Sequence, residues 1–203
     1  MNATVKSVIF WVVLIVVGVG IWNFSSRFER TESERVAAAQ PAAAQGAAGD
    51  PEAKLKALGI TLPTPGAPIA NYVNAVQTGN LLFLAGKGPL QQDGKDVVGR
   101  LGKDMTIDQG YQAARSVAIA HLAVLKKELG DLKRVTRIVK VLGMVNSDPA
   151  FTQQPAVING YSDLMVAVFG DNGKHARSAV GMATLPGGIP VEVEVVVEIA
   201  PIK

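Results

Sequence analysis

The apolar positions fall into two regimes. Residues 8–22 (VIFWVVLIVVGVGIW) run without a charge, and the stretch reaches eighteen residues when extended to Ser7 and Phe24. That length is enough to cross a bilayer as a helix, with Trp11, Trp22 and Phe24 suited to the interfaces. No small-x-small cleavage site follows; the charged run RFERTESER does, so an uncleaved single-pass anchor is expected rather than a signal peptide. Residues 36–49 are, after Val36, Ala, Gln and Gly with Pro41 and no hydrophobic stripe, which predicts a tether. The expected organisation is an anchor over 1–25, a charged and Ala-rich linker over 26–50, and a folded domain over 51–203.

In the folded part the apolar period switches repeatedly between helix and strand. Residues 51–58 predict a short helix with Pro51 at its first position, Leu55 and Leu58 inward and Gly59 as its stop. Residues 72–78 and 81–85 predict strands joined at Thr78-Gly79-Asn80. Thr106 and Gln109 form a capping box. It opens a helix with Ile107, Tyr111, Ala114, Ala118, Leu122, Leu125 and Leu129 on one face, ended by Gly130. Residues 135–145 predict a strand, and 155–169 a second helix with Val157, Tyr161, Leu164, Met165 and Val168 inward. Residues 178–185 and 191–199 predict strands around the turn Pro186-Gly187-Gly188. In the last strand, valines and Ile199 alternate with Glu192, Glu194, Val196 and Glu198, so its second face meets solvent or another subunit. The order β-β-α-β-α-β-β predicts an α+β fold, two helices on one face of a mixed or antiparallel sheet.

Composition narrows the chemistry. Beyond residue 50 there are 16 basic and 13 acidic side chains, and 16 − 13 gives the whole net charge of +3. So thin a surplus does not make a nucleic-acid groove, and no nucleic-acid partner is expected. The absence of cysteine excludes disulfides, thiol nucleophiles, zinc ribbons and iron–sulfur clusters. His121 and His175 have no ligand-spaced partner, so no metal site and no cofactor are expected. Gly86-Lys87-Gly88 precedes Pro89 rather than a helix and is not a dinucleotide loop.

Several runs stand together in a familiar order: Pro68-Ile-Ala-Asn-Tyr72, Thr78-Gly79-Asn80-Leu-Leu-Phe-Leu-Ala-Gly86, Val157-Ile-Asn159, His175-Ala-Arg177-Ser178, and Leu185-Pro186 followed by Val191-Glu192-Val193-Glu194. In this order the chain resembles the Rid (reactive intermediate deaminase, YjgF-like) family over residues 55–200. The resemblance implies a chorismate-mutase-like fold assembled as a homotrimer, with clefts between subunits. It also implies hydrolysis of 2-aminoacrylate-type enamine and imine acids to 2-keto acids and ammonia. The extra leading helix and the HARSAVG run look more like a less characterised branch. Separately, the opening MNATVKSVIFWVVLIVVGVGIW resembles the first membrane segment of FtsH-type proteases, without any ATPase or zinc-protease motif. Arg27, Arg30 and Arg35 after the span favour a cytoplasmic domain; the FtsH likeness implies the opposite side.

The resemblance assigns roles residue by residue. Arg177 matches the carboxylate-binding arginine, whose planar fork accepts a carboxylate in two hydrogen bonds; a salt bridge is its ordinary use. Glu192 matches the carboxylate that activates water; an outward strand glutamate is its ordinary use. Tyr72 matches a cleft tyrosine, or is a plain strand aromatic. Asn159 matches a polar cleft residue, or caps a helix. Gly86 matches a glycine whose backbone approaches the ligand, or marks a bulge. Ala85, Lys87 and Ala179 depart from the deaminase branch, which carries Ser or Thr, Gln, and Cys there. Lys87 brings a cation suited to an acidic ligand or a salt bridge. His175 reads as a solvated loop histidine, with donation of a hydrogen bond to a ligand as its other role, and His121 as a core or boundary residue.

The expected function is a membrane-tethered enamine/imine deaminase acting on a small carboxylate. The rival is a non-catalytic carboxylate-binding or scaffolding module; a third reading is the endoribonuclease or translation-inhibitor role attached to the family name, to which the weakly basic surface gives little support. If the last turn pairs the strands flanking it as a hairpin, Arg177 and Glu192 share a sheet face at roughly 20 Å, too far for one substrate within one chain.

Overall fold

The computed structural model describes residues 49–68 and 70–201. The expected membrane segment with its FtsH-like opening, and nearly all of the linker, lie outside the described residues. Among the described residues no helix is long and apolar enough to cross a membrane.

Helix α1 (Pro51–Ala57) starts where Asp50 accepts the Glu52 N–H at 3.0 Å. Leu55 is buried, but Leu58, expected inward, is exposed: it is the C-cap, where the chain turns away before Gly59 at φ 68°. Helix α2 (Ile107–Leu129) has the expected capping box, with Gln109 N–H donating to Thr106 Oγ1 at 3.2 Å and Thr106 N–H to Gln109 Oε1 at 2.8 Å. Its buried stripe includes Ala114, Ala118, Leu122, Leu125 and Leu129. Tyr111 stays only half-buried because its hydroxyl donates to Asp163 at 2.9 Å. Helix α3 (Gln154–Phe169) buries the five residues expected of it. The two helices cross so closely at Gly160 that any side chain there would overlap the Tyr111 carbonyl oxygen.

Five strands form one mixed sheet: β1 (Ala75–Thr78), β2 (Leu81–Lys87), β3 (Val135–Asn146), β4 (Ala176–Met182) and β5 (Val191–Ile199), in the order β1-β2-β5-β3-β4. The β3–β4 pair is parallel and the others antiparallel. This corrects the expected hairpin between the last two strands, because β3 lies between them. The physical reason is burial. Val191, Val193, Val195, Val197 and Ile199 are at most 2% exposed, a pattern that belongs to a central strand, whereas β4 is half-exposed or exposed throughout and takes the edge. Helix α3 supplies the long crossover that a parallel pair needs.

The helices cover one sheet face. The other carries Glu192, Glu194 and Glu198, and the row Val76–Phe83–Val196, in which Val76 and Phe83 are exposed. The expected α+β architecture with helices on one face is the one observed.

Candidate functional site

Four of the five candidate site residues, Arg177, Asn159, Gly86 and Glu192, fall into two clusters on opposite faces of the sheet. The first is built around Arg177. It pairs with Val141 across the parallel β3–β4 ladder, so its side chain lies on the helix side, against α3. Arg177 Nη1 donates to Asn159 Oδ1 and to Ser162 Oγ, both at 2.9 Å, while Nη2 lies 3.5 Å from the Pro155 carbonyl. Asn159 and Ser162 are three apart and therefore adjacent on one helix face. Asn159 lies inside α3, whose N-cap is Gln153, so it caps nothing.

Ser162 also faces His175, with Oγ 3.0 Å from Nε2, while His175 Nδ1 lies 2.7 Å from the Gly173 carbonyl. A carbonyl only accepts, so Nδ1 carries the proton and Nε2 accepts from the Ser162 hydroxyl. His175 is thus half-buried and held on both nitrogens, not the solvated loop residue expected. Burial first, and then the Arg177 charge, lower its pKa and favour the neutral ring. Ser162 was missed in the sequence; its signal is the helical spacing from Asn159. Among the described residues no carboxylate lies within ion-pair distance of Arg177.

The second cluster lies on the open face. Glu192 pairs with Met144 on one side, and its carboxylate occupies the space above Gly86 on the other. Gly86 belongs to a bulge: Ala85 and Gly86 of β2 stand against Glu194 alone, between the pairs Leu84–Val195 and Lys87–Val193. The bulge is tied down on both sides of Ala85. Its N–H donates to the Asn74 carbonyl at 3.0 Å, and its carbonyl accepts from His121 Nε2 at 3.2 Å. His121 is fully buried and accepts the Tyr161 hydroxyl at Nδ1, 3.0 Å away. Burial pushes its pKa down to about 4. Partial burial, and then Glu194, raise the pKa of Glu192.

Tyr72 lies before β1 and is 47% exposed; it joins neither hydrogen-bonded cluster. Arg177 is three residues along β4 from Val180, which shares a row with Met144 and Glu192. Two strand spacings and three residue rises put the Cα atoms of Arg177 and Glu192 roughly 14 Å apart, with side chains on opposite faces. The expectation of a shared face is corrected; the cause is the central position of β3. A broad cleft of about 660 Å³, lined by Asp93, Asp104, Asp108 and their neighbours, contains none of these residues.

A family model described as "YjgF/chorismate_mutase-like, putative endoribonuclease" matches residues 52–197. The chain belongs to this YjgF/chorismate-mutase-like family. Protein TCP17 of Trypanosoma cruzi is 46% identical over 154 residues, which is 75% of this chain and 96% of that one. Among solved structures, Atu1372 of Agrobacterium tumefaciens, titled as of unknown function, is 42% identical with a TM-score of 0.69, covering 74% of this chain and 92% of its own. A Shewanella oneidensis protein described as "a putative endoribonuclease" is 30% identical with a TM-score of 0.71, covering 74% of this chain and 100% of its own. The YjgF-like match takes in both clusters, from Gly86 through Glu192.

Proposed function

We propose that this YjgF-like chain is a membrane-tethered hydrolase of small enamine and imine acids, yielding 2-keto acids and ammonia in clefts between the subunits of a homotrimer. Arg177 carries the reading. Its guanidinium is fixed through Nη1, with one long 3.5 Å hydrogen bond from Nη2 to the Pro155 carbonyl, and has no carboxylate partner among the described residues, so Nε–H and the second N–H of Nη2 can take a substrate carboxylate in two hydrogen bonds. A small imino acid offers little else to hold.

The reaction balances without further reagents. The enamine takes a proton from solvent at its terminal carbon and becomes the iminium. Water adds to the iminium carbon as Glu192 accepts a proton; Glu192 returns that proton to the nitrogen, and the carbinolamine expels ammonia as its hydroxyl proton goes back to solvent and the carbonyl forms. The raised pKa of Glu192 suits a group that takes and returns a proton. Because Arg177 and Glu192 face opposite sides of one sheet, a common substrate has to lie between copies. The uncovered Val76–Phe83–Val196 row supports such assembly. The apolar run at 8–22 supports the tether: full-length protein should sediment with membranes and resist salt extraction.

Ammonia release from an enamine generated in situ tests the activity. Arg177→Lys keeps the charge but loses the fork, and should lower kcat/KM by about ten-fold or more. The second reading, a carboxylate-binding or scaffolding module without catalysis, is favoured by the methyl groups of Ala85 and Ala179 at the positions where the resemblance expects a hydroxyl and a thiol. Pyruvate binding without ammonia release would select that module. Loss of neither binding nor turnover in Arg177→Lys would overturn the assignment of Arg177.

A further inference from the structure

The bulge in β2 also turns Lys87. In regular alternation Leu84 and Lys87 would point to opposite faces; the extra residue puts both on the helix side, opposite Val195 and Val193. Lys87 thereby reaches a cavity of about 160 Å³ between the 63–67 loop and α2, lined by Pro63, Pro65, Leu90, Ala120 and Val124 among others. Among the described residues it is the one charged side chain in that lining.

The ammonium is poorly compensated. It donates to Asn74 Oδ1 at 2.5 Å, and the buried Asn74 spends its amide on the Gly66 carbonyl at 3.0 Å. An ammonium has three donors, and among the described residues Lys87 has no other hydrogen-bond partner and no carboxylate at ion-pair distance. Lys87 is half-buried, and that partial burial lowers its pKa, as expected of a cation short of counter-charge. A salt bridge, the ordinary use of such a lysine, is therefore not what holds it. An anion entering the cavity would restore the missing charge. The apolar remainder of the wall asks for an aliphatic body, and a second charge on the ligand would be buried without a partner. A cavity of about 150 Å³ holds benzene, so this one admits about six heavy atoms, the size of a four-carbon monocarboxylate.

We propose that Lys87 anchors a second small-molecule site, between the 63–67 loop and α2, that takes a short-chain monocarboxylate. It is distinct from the Arg177 and Glu192 clusters, since Lys87 faces the helix layer from β2 while Arg177 stands on β4 at the far edge of the sheet.

Calorimetric titration of the full-length chain with sodium butyrate, against 1-butanol as an uncharged probe of similar size, tests this. Butyrate should bind, and 1-butanol about ten-fold more weakly or worse. Lys87→Met keeps the length without the charge and should bring the two probes level. Ala120→Leu fills the cavity from the helix wall, leaves the ammonium in place and should abolish butyrate binding. It keeps the test open if Lys87→Met misfolds. Butyrate held at the Arg177 cluster is a separate component, lost in Arg177→Lys; the component that Lys87→Met and Ala120→Leu remove should persist in Arg177→Lys within about two-fold, as sites without shared partners do. No butyrate binding to the wild type at millimolar concentration, or equal binding in Lys87→Met, would overturn the proposal. So would binding lost in Arg177→Lys but kept in Lys87→Met, which would move the ligand to the first cluster.

Discussion

Glu192 and Gly86 share one volume: the glutamate's Oε1 lies where a side chain at position 86 would stand. The overlap is with the far end of a flexible side chain, so a methyl group there displaces the carboxylate and spares the backbone. Gly86→Ala should therefore cost little stability, about 1 kcal/mol or less. A displacement of about 1 Å at a proton-transferring group costs up to about 100-fold in rate, and keto-acid formation should fall toward that limit. Melting curves and kcat measured on the same preparation check this. An unaltered kcat would remove Glu192 from the chemistry.

The raised pKa of Glu192 has a stability consequence with a definite sign. Burial and Glu194 hold it above the ordinary glutamate value, and unfolding returns it there. Between the two values the native state binds more protons than the unfolded chain, so stability falls as pH rises through that window. The group's contribution is full below the ordinary value and lost above the raised one. Glu192→Gln should flatten that part of the pH–stability curve and be at least as stable as wild type near neutral pH. A less stable variant would mean that the ionised carboxylate makes a favourable contact instead.

His121 titrates with the opposite sign. Its pKa is about 4 in the fold and 6.5 in the unfolded reference, because burial keeps the ring neutral between the Tyr161 hydroxyl and the Ala85 carbonyl. Below pH 6.5 the unfolded chain takes up a proton that the native state refuses. Stability from this residue is complete above that pH and is lost as pH falls toward 4, on the order of 3 kcal/mol in all. Denaturant titrations across this range should show the slope, and His121→Gln should lack it. A slope that survives in His121→Gln would assign the acid sensitivity to other groups.

Features governed by near neighbours in the chain were legible without the structure. The Thr106–Gln109 capping box, the Gly130 stop and the alternating valines of β5 each depend on spacings of a few residues. Partner choice between distant strands is not of that kind. The turn at Pro186 to Gly188 suggested a hairpin, but nothing local announces that β3 enters between β4 and β5. The bulge at Ala85–Gly86 likewise has no signature beyond a glycine, yet it decides which way Lys87 points. The five candidate site residues were read from a resemblance, and the grouping of Arg177 with Asn159 followed the helix face. Its separation from Glu192 followed the strand order and was invisible until that order was known.

That separation yields the strictest test of the intersubunit cleft. Arg177 faces α3 and Glu192 faces the open side, roughly 14 Å away along the sheet, so neither side chain can bridge to the other around one small acid within a chain. If both act on one substrate, they come from different copies. Arg177→Ala and Glu192→Gln proteins should each be inactive alone. Unfolded together and reassembled, they should form mixed trimers in which some clefts combine an intact Arg177 from one copy with an intact Glu192 from the next. Random mixing in equal amounts makes that combination in about one cleft in four, the product of two independent halves, and recovered activity should approach the same fraction of wild type when affinity is unchanged. Mass spectrometry of differently tagged chains verifies the mixing. Verified mixed trimers without ammonia release, beside an active wild type, would rule out a site shared between Arg177 and Glu192.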